Sequence, residues 1–356
     1  MTGTGGGGYA VVIPTLVRDT LVDCLAALAA AHGPVPDEIV IVDDRPPEWD
    51  TAVPGDHRGG AAPGPGAAAD ALDHPLSVLG DLRDRTLVLR SGGRGPAGAR
   101  NAGFRAVTAP WTAFLDDDVQ VGPYWYDQLA RDLAEAAPDT AGVRGVIAVP
   151  LPEGRRPTDR ERGLAGLARA PWSAADMVYR TEALERVDGF DERFTRAFRE
   201  DADLALRVLG AGWRIRRGRR TTRHAVRPAS RWVSLAEQRA HADDALMRRL
   251  HGPDWWAKAV APRSRIRRHT AVTAAGVLAL LLAAAGRRRA AAAAGLCWAS
   301  GIAAFARERI APGPRTPGEI TTVVLTSVAI PPLATWHRLR GEWRHRAARA
   351  WREVAP

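Results

Sequence analysis

The 356-residue sequence predicts an α/β fold with a parallel sheet covered on both faces, followed by an α-helical region. Two observations carry the first half. Short apolar runs alternate with helically spaced stretches from residue 9 onward, and the runs lack polar alternation, as strands buried on both faces do. A third observation carries the second half: beyond residue 269 come three apolar segments of ~17 residues each, the short end of what crosses a bilayer.

The elements follow in order. "YAVVIPT" (9–15) reads as a buried strand that ends around Pro14. "LVDCLAALAAA" (21–31) has helical apolar spacing and stops before His32, Gly33 and Pro34. "DEIVIVDD" (37–44) is a second strand closing on Asp43 and Asp44. Residues 45–80, rich in Pro, Gly and Ala, read as a long irregular loop. "RTLVLR" is a third strand, and "GPAGARNAGFRAV" starts a helix with Pro96 in its first turn. "WTAFLDDD" is a fourth strand, and "YWYDQLARDLAEA" a further helix. The segment 141–225 is mixed: "AGVRGVIAVP" is a strand, and "REDADLALRVLGAGW" an amphipathic helix stopping at Gly210. Acidic residues in that helix's first turn, Glu200, Asp201 and Asp203, are also favoured by the helix dipole alone.

Domain organisation follows from composition. Residues 1–8 are a flexible glycine-rich N-terminus, without the charged start and apolar core of a signal peptide. Residues 9–230 form the α/β domain, and 231–268 a helical extension and basic linker. Residues 269–336 are apolar helices, read first as a membrane hairpin, next as three full spans, against a soluble alanine-rich bundle. Residues 337–356 are a basic amphipathic tail with Trp336, Leu339, Trp343, Ala347, Trp351 and Val354 on one arc, the pattern of an interfacial helix. Arginines flank every apolar segment, so charge bias gives no orientation. The net charge of +10 is almost wholly arginine, with Lys258 the only lysine. Runs such as "WRIRRGRR" suit a solvated basic face, anionic lipid or diphosphate ligands. No recognisable module or interleaved aromatic platform supports nucleic-acid binding. Cys24 and Cys297 stand far apart and outside metal-ligand spacing, which points to a reducing compartment.

Chemistry concentrates at strand ends. Ligands of such sheets sit beyond the carboxyl ends of the strands, where Asp43–Asp44 and the triplet Asp116, Asp117 and Asp118 fall. Adjacent carboxylates repel unless a cation neutralises them. Hard oxygen ligands suit Mg²⁺ or Mn²⁺, which bind one or two carboxylates plus substrate phosphates. On extended backbone Asp116 and Asp118 point one way and Asp117 the other.

"VVIPT", "IVDD", "GPAGARNAGFRAV", "FLDDDV", "GFDERF" and "REDADLALRV" occur in that order. Together they resemble a family-two inverting glycosyltransferase with a GT-A fold, over residues 9–230. The resemblance implies a Rossmann-like nucleotide-binding sheet plus an acceptor-side mixed sheet, and sugar transfer from a nucleotide-diphosphate donor with inversion at the anomeric carbon. It implies donor contacts at Pro14, Asp43, Asp44, Arg100, Asn101, Asp116 and Asp117. It implies a metal, Mn²⁺ or Mg²⁺, at Asp116 and Asp118, with His224 as a further ligand. It implies a catalytic base at Asp201, with Glu200 its neighbour. For His224 the residues alone leave a surface histidine equally open. Asp176, Asp188 and Asp191 are read as structural, the second in a turn and the third a cap. The Gln-x-x-Arg-Trp motif of processive synthases is absent, which favours transfer of one or a few sugars.

The functional expectation is therefore a membrane-attached glycosyltransferase on the cytoplasmic face, peripheral or integral. Its acceptor is a hydroxyl, with a lipid-linked or cell-envelope molecule suggested by the tail. A nucleotidyltransferase would want a glycine-rich, lysine-bearing loop after the first strand, and "IPTLVRDT" offers only Arg18. A non-catalytic nucleotide-sugar binder derived from such an enzyme is the alternative; the intact Asp116, Asp118 and Asp201 weigh against it.

Overall fold

The computed structural model describes residues 8–48 and 67–351. Most of the expected flexible N-terminus, residues 49–66 of the expected loop and the last five residues of the tail lie outside them. The described chain forms two compact units. The first takes residues up to 150 and 167–225; the second takes 151–166 and 226–351. The second unit thus includes a stretch that the sequence assigns to the α/β domain.

The first unit is built on one eight-stranded sheet. Its strands are β1 (Tyr9–Thr15), β2 (Glu38–Asp43), β3 (Thr86–Arg90), β4 (Trp111–Leu115), β5 (Val119–Val121), β6 (Thr140–Ala148), β7 (Asp176–Arg180) and β8 (Arg214–His224), in the order β3-β2-β1-β4-β7-β6-β8-β5. The β3-β2-β1-β4 half is parallel. Beyond β4 the sheet is mixed: β7 is antiparallel to both β4 and β6, β6 and β8 are parallel, and β5 is antiparallel to β8. This is the GT-A arrangement, a nucleotide-type parallel half continued by a mixed half.

Both faces are covered, which explains the unbroken apolar strands. Val11, Ile13, Ile39 and Ile41 face helix α1 (Thr20–Ala29) through Leu21, Leu25 and Leu28, and helix α4 (Trp125–Ala134) through Trp125 and Leu129. Helix α2 (Ala67–Ser77) joins this face through Leu72 and Leu76. The irregular loop expected over 45–80 therefore holds a helix; its Pro and Gly surroundings, and Pro75 within it, masked the helical spacing. Val12, Val40 and Val42 face helix α3 (Gly95–Phe104), α5 (Thr181–Arg186) and α6 (Glu200–Gly210) through Ala97, Leu184 and Leu204. Gly103 lets α3 approach β1, since a Cβ there would come within 2.3 Å of Val12.

The sheet cannot be flat. β4 and β5 lie four places apart in the strand order, about 19 Å at ordinary strand spacing. Only the 116–118 turn joins them, and the four steps from Leu115 to Val119 reach at most about 14 Å. The mixed half must curl over. Irregular register between β6 and β8, after the Arg144–Arg217 pair and before Val146–Thr221, supplies the bend.

In the second unit, helix α7 (His241–His251) precedes α8 (Ile266–Ala284), α9 (Arg288–Ile310) and α10 (Pro317–Arg344). The last three are long and apolar enough to cross a membrane by length and composition. Leu280, Leu281 and Leu296 lie exposed on α8 and α9. No break separates the third apolar segment from the basic tail: α10 continues through Pro331 and Pro332 to Arg344, so residues 337–344 extend that helix. A short helix, Asp159–Leu164, opens with a capping box in which Thr158 and Glu161 bond reciprocally. The buried Arg309 of α9 holds it, binding Asp159 at 2.8–2.9 Å and the Thr326 and Ser327 hydroxyls at 2.9 Å.

Candidate active site

β4 stops at Leu115, and the three aspartates form a turn rather than more strand. The turn still divides them. One carboxylate oxygen each from Asp116 and Asp118 and a ring nitrogen of His224 lie within 4.8 Å of one another. His224 Nε2 is 3.4 Å from Asp118 Oδ1. His224 reaches Asp118 because β5 pairs Val119 with His224 at the curled end of β8. Asp117 turns away and accepts from the Thr15 hydroxyl at 2.7 Å and the Arg18 guanidinium at 3.1 Å. It thereby ties the end of β1 to the end of β4.

Arg100 enters from α3, wholly buried. Its Nη2 donates to Asp116 Oδ1 at 2.7 Å and its Nη1 to Glu200 Oε1 at 2.9 Å. Burial alone would lower the guanidinium's pKa, but Asp116 and Glu200 on either side raise it. Glu200, also buried, has its carboxyl pushed up by burial and then by Asp201, against the pull of Arg100. Asp201, next on α6, is half-buried, and burial pushes its carboxyl up as well. The Ala202 N–H that it accepts at 2.7 Å opposes this, as do Arg100 and Arg199. Arg199 precedes the pair with a left-handed φ of 74°, a conformation costing about 1 kcal/mol or more for a side-chain-bearing residue.

The remaining expected residues divide by partner. Asp43 is buried and holds Arg45, whose Nε and Nη2 donate to its two oxygens at 2.9 and 2.7 Å. Asp44 accepts from the Ser91 hydroxyl at 2.6 Å. Pro14 lies within β1, in register with Val42. Asn101 is engaged within the chain. Its Nδ2 donates to the Phe190 carbonyl and to Glu192, both at 2.9 Å, and its Oδ1 accepts the Phe190 N–H at 2.8 Å. It clamps the "GFDERF" turn to α3, next to Gly189, whose φ of 63° leaves no room for a Cβ against the Asn101 side chain. Asp176 is a buried strut, taking Trp125 Nε1, Arg220 Nε and the Thr222 hydroxyl. Asp191 caps the Arg193 N–H at 3.0 Å. Sequence reasoning missed Thr15, Ser91, Glu192 and Arg199. Thr15 and Ser91 each follow directly on a strand residue that was singled out or read as a strand end, which was the available signal.

Two carboxylates and one imidazole fit a divalent cation. The set suits Mn²⁺ better than Mg²⁺, which favours oxygen and water ligands. Asp116 would keep Arg100 on one oxygen while offering the other.

Acidic residues at the carboxyl end of a parallel half-sheet, continued by a curled mixed half, define a unit of the GT-A fold. The model of the family described as glycosyl transferase family 2 matches residues 69–203 of this chain. A pre-mycofactocin glycosyltransferase of Mycobacterium tuberculosis is 36% identical over 137 residues, 35% of this chain and 28% of that protein. The succinoglycan biosynthesis protein ExoO of Rhizobium meliloti is 30% identical over 200 residues, 53% of this chain and 49% of that one. The chain thus spans at most about half the length of these curated relatives. Among solved structures, S. aureus TarS 1–349 in complex with UDP aligns over 97% of this chain and 93% of its own, at 15% identity and a TM-score of 0.43.

Proposed function

We propose that the first unit is a metal-dependent, inverting glycosyltransferase that moves a sugar from a nucleotide-diphosphate donor to an acceptor hydroxyl. The observation that carries this reading is the meeting of Asp116, Asp118 and His224 within 4.8 Å, with Asp201 within electrostatic reach of Asp116. The match of residues 69–203 to a glycosyltransferase family model supports sugar transfer, as does the likeness to a pre-mycofactocin glycosyltransferase.

A cation held by Asp116, Asp118 and His224 would place positive charge where the nucleoside diphosphate departs. The chain's own residues do the rest. Arg100 keeps Asp116 fixed, and its second arm fixes Glu200. Glu200 is thereby a positioning residue for the first turn of α6. Asp201 takes the proton of the acceptor hydroxyl as that oxygen attacks the anomeric carbon from the face opposite the leaving group. Burial raises its basicity toward the working range. One carboxylate suffices, because inversion needs no covalent intermediate. Asp44 is the acidic group at the end of β2 best placed for the nucleoside, since Asp43 is bound to Arg45.

In this reading the chain is attached to the cytoplasmic face of a membrane and acts on a lipid-linked or cell-envelope acceptor; α8, α9 and α10, long and apolar enough to cross a bilayer, support the attachment. The test is a donor screen: purified full-length protein, Mn²⁺ or Mg²⁺, a panel of nucleotide sugars, and nucleoside diphosphate release as the readout. Metal-dependent release from one donor, lost in Asp118→Ala, supports the reading. Folded protein that neither binds nor turns over any donor with either metal overturns it.

A further inference from the structure

β6 and β8 run parallel, and their register sets Arg144 beside Arg217. Paired residues of neighbouring strands share a face, so two arginine stems stand side by side on the mixed half of the sheet. Arg144 is half-buried and Arg217 exposed. Among the described residues neither makes a hydrogen bond or an ion pair. Four other arginines of the strand are different: Arg214, Arg216, Arg219 and Arg220 each meet a carboxylate of Asp132, Glu135, Asp139 or Asp176, while Arg223 lies beyond the bend, opposite Gln120 of β5. Burial, and after it Arg217, holds the Arg144 guanidinium below its ordinary range. Two like charges in adjacent register are unfavourable unless something neutralises them.

Their place in the fold says what that something is for. Arg144 is next to Met177 of β7, and Ile215 precedes Arg217 on the same side of β8. Met177 and Ile215 pack with Leu204 and Val208 of α6, so the pair stands on the face that α6 covers. α6 turns at 211–213 into β8 and runs back along it. From Gly210 back to Asp201 is about 14 Å of helix, and from Arg214 to Arg217 about 10 Å of strand. The arginine pair is therefore level with the opening turns of α6, where Asp201 sits. The nucleoside crevice at β1 and β2 lies on the other side of β4. The bend in β8 begins directly after the pair.

We propose that Arg144 and Arg217 form an anion subsite for the acceptor, which carries a phosphate or carboxylate group near the hydroxyl that is glycosylated. The proposal rests on the transferase reading above. Two guanidinium forks one strand apart can share a single oxyanion, each through paired N–H donors. A neutral glycan would leave both charges unmatched.

The test uses full-length protein in detergent, stripped of metal, titrated calorimetrically with inorganic phosphate and with glucuronate. Wild type is compared with Arg144→Gln, Arg217→Gln and the double variant. At least one anion should bind wild type and bind the double variant at least tenfold more weakly; which anion is preferred names the group. Uridine or guanosine diphosphate with Mn²⁺ should bind all variants within twofold of wild type. Arg217→Gln should melt no lower than wild type, because no partner is lost and a repulsion is removed. The proposal is overturned if neither anion binds wild type, if the double variant binds both as tightly, or if Arg217→Gln melts several degrees lower. Failure of the transferase reading would appear elsewhere, in the metal-dependent donor screen, which this titration does not use.

Discussion

Asn101→Ala separates a scaffold role from a donor-binding role. The Asn101 amide makes three hydrogen bonds, all at 2.8–2.9 Å: two with the Phe190 backbone and one with Glu192. At about 1 kcal/mol net for each bond, truncation costs about 3 kcal/mol, and more if the buried Phe190 N–H stays unpaired. For a unit of about 200 residues, 1 kcal/mol shifts the melting point by about 2–4 °C. The variant should therefore melt about 6–12 °C below wild type, followed by tryptophan fluorescence in detergent. Below its melting point its KM for the nucleotide sugar should stay within about threefold of wild type, because both Nδ2 hydrogens are taken and none is left to donate to a diphosphate. A variant that melts within 2 °C of wild type (roughly the smallest shift that one lost kcal/mol gives), or keeps its melting point while donor KM rises tenfold, refutes the clamp.

Three further outcomes are expected. Asp201→Asn should retain donor and Mn²⁺ binding but lose turnover by about a thousandfold or more, within the range of general-base catalysis; normal turnover would remove Asp201 from the mechanism. Since a base must be unprotonated and burial pushes this carboxyl up, kcat/KM should rise with pH through a range above that of an exposed aspartate, and an acid limb near pH 4 would contradict the burial argument. His224→Gln should weaken Mn²⁺ binding by at least tenfold while leaving Mg²⁺ nearly unchanged, read by metal titration; unchanged Mn²⁺ binding would mean that the imidazole is no ligand. Arg309→Ala removes one of the two arginines that bind Asp159, leaving Arg162 alone, so proteolysis should cut residues 151–166 faster than in wild type, and an unchanged cleavage pattern would show that Arg309 does not hold that segment.

The parallel half of the fold was legible because burial on both faces leaves unbroken apolar runs, as in β1, β2 and β4. Three features were not. β5 has three residues, too few for any periodicity. β8 looked like a solvated charge run, yet Arg220 within it is fully buried on Asp176; sequence shows the charge and hides the partner 44 positions away. Residues 151–166 join the second unit through Asp159 and Arg162, whose partner Arg309 is some 150 positions distant. At the candidate site, residue type and order singled out Asp116, Asp118 and His224, which the fold brings together. They did not place Asn101: an amide beside an arginine at a helix start suits a diphosphate or a backbone clamp equally, and only the position of Phe190 decides between them.

The curl of the sheet has a consequence in polymer terms. Asp118 and His224 are about a hundred residues apart in the chain, and a shared cation would close a ring that contains β6, β7, α5 and α6. Closing a ring of that size restricts an unfolded chain by about 4 kcal/mol of loop entropy. An ion there would act as a removable cross-link, comparable to a disulfide in what it does to the unfolded ensemble. A chelator would then lower the melting temperature of the unit as well as its activity, and the donor diphosphate, by holding the ion, would tighten the cross-link on arrival.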